Sequence, residues 1–171
     1  MLIQRVVDAF MSLPTMIVLL MAVFLLGKSL INVVVVLGVI GAPPASRVIR
    51  GSTISVMANQ YIESARAVGC SDARIIIMHV LPNIAAPVLV MASIAVGGNI
   101  LAEAALSFLG LGVEPPDPTW GNMLSLAGLQ SLTDNPWLAF FPGAFITLAV
   151  FCVNVLGDAL RDELDPSRRG L

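Results

Sequence analysis

Residues 61–83 read YIESARAVGCSDARIIIMHVLPN and lie between two long apolar blocks. Charged residues return in this mid-chain stretch, together with the chain's single histidine. Gly69 suits the left-handed turn that ends a helix, because glycine has no Cβ to clash there. Ser71 or Asp72 would cap the next helix by accepting from its free N–H groups, and Pro82 would close the unit. The stretch therefore predicts a short helix, a glycine turn and a second short helix.

The composition of the chain indicates an integral membrane protein. Of its 171 residues, 57% are hydrophobic and only 12% are charged, whereas about 25% of residues are charged in a soluble domain. The formal net charge of −2 is too small to indicate a strongly acidic or basic partner. Nucleic-acid binding is not expected, since the sequence has no basic patch that would contact phosphates.

Four apolar blocks are long enough to approach the ~20 residues that cross a bilayer. They cover roughly residues 10–26, 30–45, 82–106 and 136–156. The second block meets Pro43 and Pro44, and its helix is expected to continue beyond them toward the polar hairpin. We therefore predict an all-α, polytopic membrane protein with about four transmembrane helices in one domain, residues 1–171. It would carry a helix-turn-helix hairpin at residues 59–83 (the hairpin) and a Pro-rich loop at residues 110–135.

Lysine and arginine are distributed unevenly between the two sides of these spans. One side collects Arg5, Arg47, Arg50, Arg66, Arg74, Arg161, Arg168 and Arg169, and the other side has only Lys28. Short cytoplasmic segments of membrane proteins carry the excess of Lys and Arg. The hairpin and the C-terminus are therefore expected in the cytoplasm, and the loop 110–135 is expected outside.

Motifs for catalysis or metal binding are weak in this sequence. Residues 22–29, AVFLLGKS, resemble a phosphate-binding loop only in part, because Ala22 replaces its first glycine and bulky apolar residues follow. The hydrolase pattern G-x-S-x-G is missing, and Cys70 and Cys152 lack the spacing of metal ligands. We therefore expect no enzyme activity and no bound cofactor or metal, so that any nucleotide hydrolysis would come from another chain.

Polar groups inside the apolar blocks are candidates for a solute path. Such groups are costly in lipid and usually face a cavity or a partner. Glu103 and Asn99 are therefore expected to line a translocation path or gate, with Trp120 in the outer loop beside it. Solvation at a helix end is the alternative for Glu103, hydrogen bonding between helices for Asn99, and a packed connector for the loop around Trp120.

The hairpin resembles the cytoplasmic EAA loop of ABC-importer permeases, whose pattern is E-A-A, three residues, Gly, nine residues and I-x-L-P. The positions of that pattern correspond here to Glu63, Ser64, Ala65, Gly69, Leu81 and Pro82. Ser64 replaces an alanine of the pattern, and His79 replaces its isoleucine. Two further stretches, EAALSFLGLGVEPPDPTWGNML (103–124) and LGDALRDELDP (156–166), resemble the C-type permease subunit of the dipeptide/oligopeptide/nickel branch. The similarity covers nearly the whole chain.

This resemblance implies a type I ABC-importer permease in a bacterial or archaeal cell membrane. Its partners would be a second permease subunit, two cytoplasmic ABC ATPase subunits that hold ATP and Mg²⁺, and an external solute-binding protein. The solute would be a peptide, a nickel chelate, glutathione or a related compound. Permeases of this branch have about six spans, so the resemblance also implies an N-terminal part that this sequence lacks. The alternatives are a truncated, non-transporting remnant, a structural or regulatory subunit, and a channel or secondary transporter that works without ATPases.

The resemblance assigns roles to the hairpin residues. Glu63 would bind the ATPase through a charge-assisted hydrogen bond, Ala65 would permit close approach, and Gly69 would set the turn. Arg66, Asp72 and Arg74 are possible further contacts. A simple i,i+3 pair between Glu63 and Arg66 is the alternative for the acid, and exposure to solvent or lipid headgroups is the alternative for the arginines.

Overall fold

A computed structural model describes residues 2–113, 116–125 and 135–164 of the chain. These residues form helices and loops, with no strand among them, which confirms the all-α prediction. The helices are α1 (Leu2–Met11), α2 (Thr15–Leu26), α3 (Leu30–Met57), α4 (Gln60–Ala67), α5 (Asp72–Ile75), α6 (Leu81–Phe108), α7 (Trp120–Met123) and α8 (Trp137–Leu164). A π-helical turn, Ile76–Val80, joins α5 to α6.

Three helices in the described part of the chain are long and apolar enough to cross a membrane. They are α3, α8 and the 37-residue helix Asp72–Phe108 that contains α5, the π-turn and α6. The helices α1 and α2 are bent by 90° and bring the count to four if the pair forms one span. The first predicted span, residues 10–26, is thus not one straight helix. Pro14 lacks an N–H group and disfavours helical backbone at Leu13, which explains the break.

The helix α3 continues for 28 residues through Pro43 and Pro44. Each proline lacks the N–H that would bond the carbonyl one turn earlier, yet the helix does not end there. The Ser46 hydroxyl donates to the Pro43 carbonyl at 2.8 Å. Beyond the prolines, the Arg47 guanidinium donates to the carboxylate of Asp8 on α1. The predicted continuation of this helix beyond residue 45 is confirmed.

The helices α6 and α8 run antiparallel and pack closely along their lengths. Gly157 on α8 lies directly against Ser93, and about one turn further along α6 Gly97 lies against Asn154. Small residues at such positions let two helix backbones approach each other. We call the end of the bundle at α4 and α5 the hairpin end, and the end at α7 the loop end.

Two apolar clusters hold the remaining elements. At the loop end, a cluster joins α2 and α3 to the last turns of α6: Leu19, Val23, Val33, Val36, Leu37 and Leu106. At the hairpin end, a second cluster joins α4, α5 and the π-turn to the first turn of α6: Ile62, Ile75, Val80 and Ile84. Much of the remaining apolar surface is exposed, for example Phe24 at 80% and Ile31 at 73%, as expected for helices that face lipid or other helices.

Candidate functional site: the hairpin and the loop-end cavity

The turn of the hairpin has the geometry that its glycine predicts. Gly69 has a φ of +88°. Its N–H donates to the Arg66 carbonyl at 2.9 Å, and the Cys70 N–H donates to the Ala65 carbonyl at 3.0 Å. These two bonds form a Schellman motif, which satisfies the free carbonyls at the end of α4. Ser71 then caps α5 by accepting from the Arg74 N–H at 3.4 Å, so the hydroxyl caps the helix and the Asp72 carboxylate does not.

The prediction that Pro82 closes the hairpin is wrong. Pro82 lies in the first turn of α6, inside the continuous helix that begins at Asp72. In the π-turn just before it, the Leu81 N–H bonds the Ile76 carbonyl, five residues back. A π-turn places one extra residue in a helical turn, which is one way that a helix accommodates a disrupted hydrogen-bond ladder. Leu81 and Pro82 therefore belong to the transmembrane helix, whereas Glu63, Ser64 and Ala65 lie on α4 and Gly69 lies in the turn after it.

The hairpin is packed firmly on the start of α6. Ile62 of α4 is 1% exposed and lies in the hairpin-end cluster. Beside it, the rings of Tyr61 and His79 meet edge to face at 6.0 Å, and the Asn83 amide donates to the His79 carbonyl at 2.6 Å. The sequence reasoning missed these contacts, although Ile62 is an isolated apolar residue in a polar segment.

Most of the predicted contact residues are on the exposed surface of the hairpin. Glu63, Ser64 and Arg74 are exposed. Ala65 instead lies partly buried against the hairpin-end cluster. An apolar residue that the sequence reasoning missed, Val68, is 85% exposed beside the glycine turn.

The ion pair of the hairpin joins Arg66 to Asp72 rather than to Glu63. Arg66 lies 3.7 Å from the Asp72 carboxylate across the turn, so the alternative i,i+3 pair with Glu63 does not form. Both partners are more than half exposed, and such surface pairs add little stability. Within the described residues, the Glu63 carboxylate has no ion pair or hydrogen bond. Its charge is therefore available to a partner.

The three residues predicted for a solute path line one cavity at the loop end. The cavity has a volume of about 630 Å³ and lies between α3, α6 and α7. Asn99 and Glu103 line it from α6, and Trp120 lines it from the start of α7. The wall from α3 is apolar: Leu30, Val33, Val34 and Leu37. The buried Ser107 hydroxyl donates to the Glu103 carboxylate at 2.6 Å, and the Trp120 ring stacks on Phe145 with centroids 6.1 Å apart.

Close contact with α6 fixes the position of α7 beside this cavity. A Cβ atom on Gly121 would lie 2.3 Å from the Ala104 carbonyl oxygen and 2.7 Å from the Ser107 Cβ. The Asn122 amide donates to the Val113 carbonyl at 2.8 Å, which ties the loop to α7. Only glycine permits this approach, and the approach brings Trp120 over the cavity.

We expect Gly121→Ala to lower the stability of the protein by about 1–3 kcal/mol, because the new methyl group overpacks a rigid contact. Thermal unfolding of the purified protein would measure the loss, and tryptophan fluorescence would report displacement of Trp120 from Phe145. Gly98→Ala is the matched control, since a Cβ atom at that position meets nothing within 4 Å. Equal melting temperatures for the two variants would contradict the packing of α7.

Some predictions fall on residues that the structure does not describe. The loop 110–135 is described at residues 110–113, 116–125 and 135 only, and Arg168 and Arg169 of the charge count also lie outside the described residues. In the described ranges, no group of three His, Cys, Asp or Glu side chains could hold a metal ion.

The long apolar helices and their exposed apolar surface define a polytopic, all-α integral membrane protein. The chain belongs to the family of binding-protein-dependent transport system inner membrane components, whose pattern matches residues 1–170. The predicted resemblance to importer permeases is thereby confirmed.

Curated relatives support the same family. The chain is 40% identical to the dipeptide transport system permease protein DppC of Alkalihalophilus pseudofirmus over 99% of its own length. It is 38% identical, again over 99% of its length, to the glutathione transport system permease proteins GsiD of Escherichia coli O157:H7 and Shigella sonnei. These relatives are transport permeases rather than enzymes. The chain spans 55% of the length of each.

Proposed function

We propose that this chain forms part of the translocation pathway of an ATP-driven importer for peptides or related small solutes. Its family and the dipeptide and glutathione permeases among its relatives support this function. Its partners in this importer are a second permease subunit, an external solute-binding protein and two ABC ATPase subunits that hold ATP and Mg²⁺. The chain contributes one membrane domain, residues 1–171, with the loop 110–135 on the external side.

The hairpin 59–83 is the part that contacts an ATPase in this proposal. The observation that carries it is the exposed carboxylate of Glu63, which makes no ion pair or hydrogen bond with a described residue, together with the exposed Val68 side chain at the glycine turn. An exposed acid and an exposed apolar side chain on the same hairpin offer a partner a charge-assisted hydrogen bond and apolar contact. Arg66, Asp72 and Arg74 are further exposed charged residues of the hairpin. The excess of Lys and Arg on this side of the spans supports a cytoplasmic position.

Movement of the hairpin would be transmitted to the membrane-spanning helix α6 through packed side chains. Ile62 joins α4 to Val80 and Ile84 in the hairpin-end cluster, and Ile84 lies on the same continuous helix as Glu103. From Leu81 to Glu103 this helix rises about 33 Å. A rigid-body shift of the hairpin, driven by closure of the ATPases, would therefore tilt α6 and open or close the loop-end cavity.

The loop-end cavity is the proposed section of the solute path. Its volume of about 630 Å³ lies within the roughly 300–1,000 Å³ of small-molecule sites. Glu103 and Asn99 supply polar groups to walls that are largely apolar, and Trp120 also lines the cavity. An ionisable group in a membrane helix most often faces such a path.

A charge reversal on the hairpin tests the proposed coupling. We expect Glu63→Lys to lower solute uptake and transport-coupled ATP hydrolysis at least tenfold, or about 1.4 kcal/mol, because the charge-assisted bond becomes a repulsion. Both rates would be measured in proteoliposomes that contain the full set of subunits. Glu163→Lys is the matched control, since Glu163 is an exposed acid at the same end of the bundle but on α8.

Unchanged coupling in Glu63→Lys would refute the role of the hairpin. Retention of the ATPase subunits during purification separates lost docking from lost transmission of movement. If the wild-type chain assembles with its partners but gives no uptake, the structural or regulatory alternative is favoured.

A further inference from the structure

A second large cavity lies at the hairpin end, on a different set of α6 residues from those at the loop-end cavity. It has a volume of about 620 Å³ and lies between α3, α6 and α8. We call it the hairpin-end cavity. Its lining is Val48 from α3, Asn83, Ala86, Pro87, Val90, Met91 and Ile94 from α6, and Arg161 from α8. The cavity is thus apolar except for Asn83 and Arg161.

The cavity extends from the hairpin end toward the middle of the membrane. From Asn83 to Ile94, α6 rises about 16 Å, and Arg161 lies part-way along this length, because Gly157 packs against Ser93 and the two helices run antiparallel. The polar residue Asn83 lies toward the end of the bundle, whereas Val90, Met91 and Ile94 lie deeper. The lining therefore becomes apolar toward the middle of the membrane, as a phospholipid does from its headgroup to its acyl chains.

Arg161 lies at the level expected for lipid headgroups. The helix α8 has 28 residues and is about 42 Å long, so roughly 6 Å would extend beyond each side of a ~30 Å core. Arg161 is the fourth residue from the end of α8, within that extension. Asp158 lies one turn earlier on the same helix, and Asp162 follows in sequence, yet the Arg161 guanidinium makes no ion pair with a described residue.

We propose that the hairpin-end cavity binds an anionic phospholipid, with its phosphate on Arg161 and an acyl chain along Val90, Met91 and Ile94. Basic pockets between transmembrane helices favour anionic headgroups, and an arginine matches the geometry of a phosphate. A transported peptide fits this cavity poorly, because the deeper α6 wall has no polar side chain to satisfy buried amide groups. The site is independent of the transport function proposed above.

Photo-crosslinking of lipid to the full chain tests this site. The protein would be placed in phosphatidylcholine nanodiscs that contain trace phosphatidylglycerol with a photoreactive acyl chain. Peptide mapping is expected to place the label on residues 86–94 of α6. Arg161→Gln should lower this labelling about tenfold, whereas Arg50→Gln should leave it unchanged, because Arg50 is an exposed arginine at the same end that does not line the cavity.

A variant that keeps the charge tests the apolar wall separately. Met91→Trp would narrow the apolar part of the cavity, so labelling should fall although Arg161 is retained. Melting temperatures would establish that each variant is folded. Equal labelling by a phosphatidylcholine probe, or labelling that Arg161→Gln does not change, would indicate ordinary surrounding lipid and overturn the proposal. Competition by millimolar inorganic phosphate or by dipeptides, without selectivity for the anionic lipid, would overturn it in favour of a free-anion or solute site.

Discussion

Replacement of Gly69 by proline is expected to abolish coupling between ATP hydrolysis and uptake. Proline fixes φ near −65°, whereas residue 69 has a φ of +88°, so the turn would have to change its conformation. The substitution also removes the N–H that donates to the Arg66 carbonyl at 2.9 Å. We expect the turn to rearrange, so that α4 with its Glu63 no longer keeps its position relative to α5.

A graded series makes this prediction specific. Gly69→Ala keeps the N–H and meets no neighbour within 4 Å, so its cost is only the roughly 1–2 kcal/mol of a left-handed conformation. Uptake in proteoliposomes should therefore fall from wild type to alanine to proline. The melting temperature of the membrane helices should change little across the series, because the turn lies outside the span of α6. Equal uptake in wild type and Gly69→Pro would refute the proposed role of the turn.

Gly157→Ala is expected to force α6 and α8 apart. A Cβ atom at residue 157 would lie 2.4 Å from the Cβ and 2.7 Å from the Oγ of Ser93, and neither distance is tolerated between packed helices. The Ser93 Cβ is fixed to the backbone, so the helices themselves must shift. Overpacking of this kind costs about 1–3 kcal/mol, and the loss should appear as a lower melting temperature of the purified protein.

Two further variants separate this contact from a general effect of alanine. Gly97→Ala adds a methyl group to the same interface, but its Cβ would lie 3.5 Å from Val150, an ordinary contact, so its melting temperature should stay near that of wild type. Ser93→Gly removes the atoms that collide and should restore part of the stability lost in Gly157→Ala. If Ser93→Gly gives no recovery, the two residues do not meet as described.

Several features could be predicted from local sequence because they depend on neighbouring residues alone. The turn at Gly69 follows from the absence of a Cβ atom, and the cap of α5 follows from the short side chain of Ser71 just before it. The prediction for Pro82 is wrong for an equally local reason. A proline usually ends a helix, but here the π-turn at Ile76–Val80 lets the helix continue from α5 into the membrane.

The loop-end cavity could be predicted only in part. Glu103 and Asn99 stood out because polar groups in apolar helices are costly. Their approach to Trp120 depends on how α7 packs on α6, and that packing depends on Gly121, which has no chemical signal of its own. Similarly, the hairpin-end cavity joins Asn83 to Arg161, residues far apart in the chain whose proximity is set by the antiparallel packing of α6 and α8.

The sequence by itself determined the membrane class, the apolar spans, the hairpin and the family resemblance. Hydrophobicity, charge distribution and motif spacing are properties of short segments, and they can be identified without the remainder of the fold. Only the tertiary structure decided that α4 is anchored through Ile62 to the helix that carries Glu103. It also decided that Arg66 pairs with Asp72 and leaves Glu63 without an ion pair to any described residue. Those outcomes depend on which helix faces meet, and close packing selects one arrangement from many that the same pattern allows.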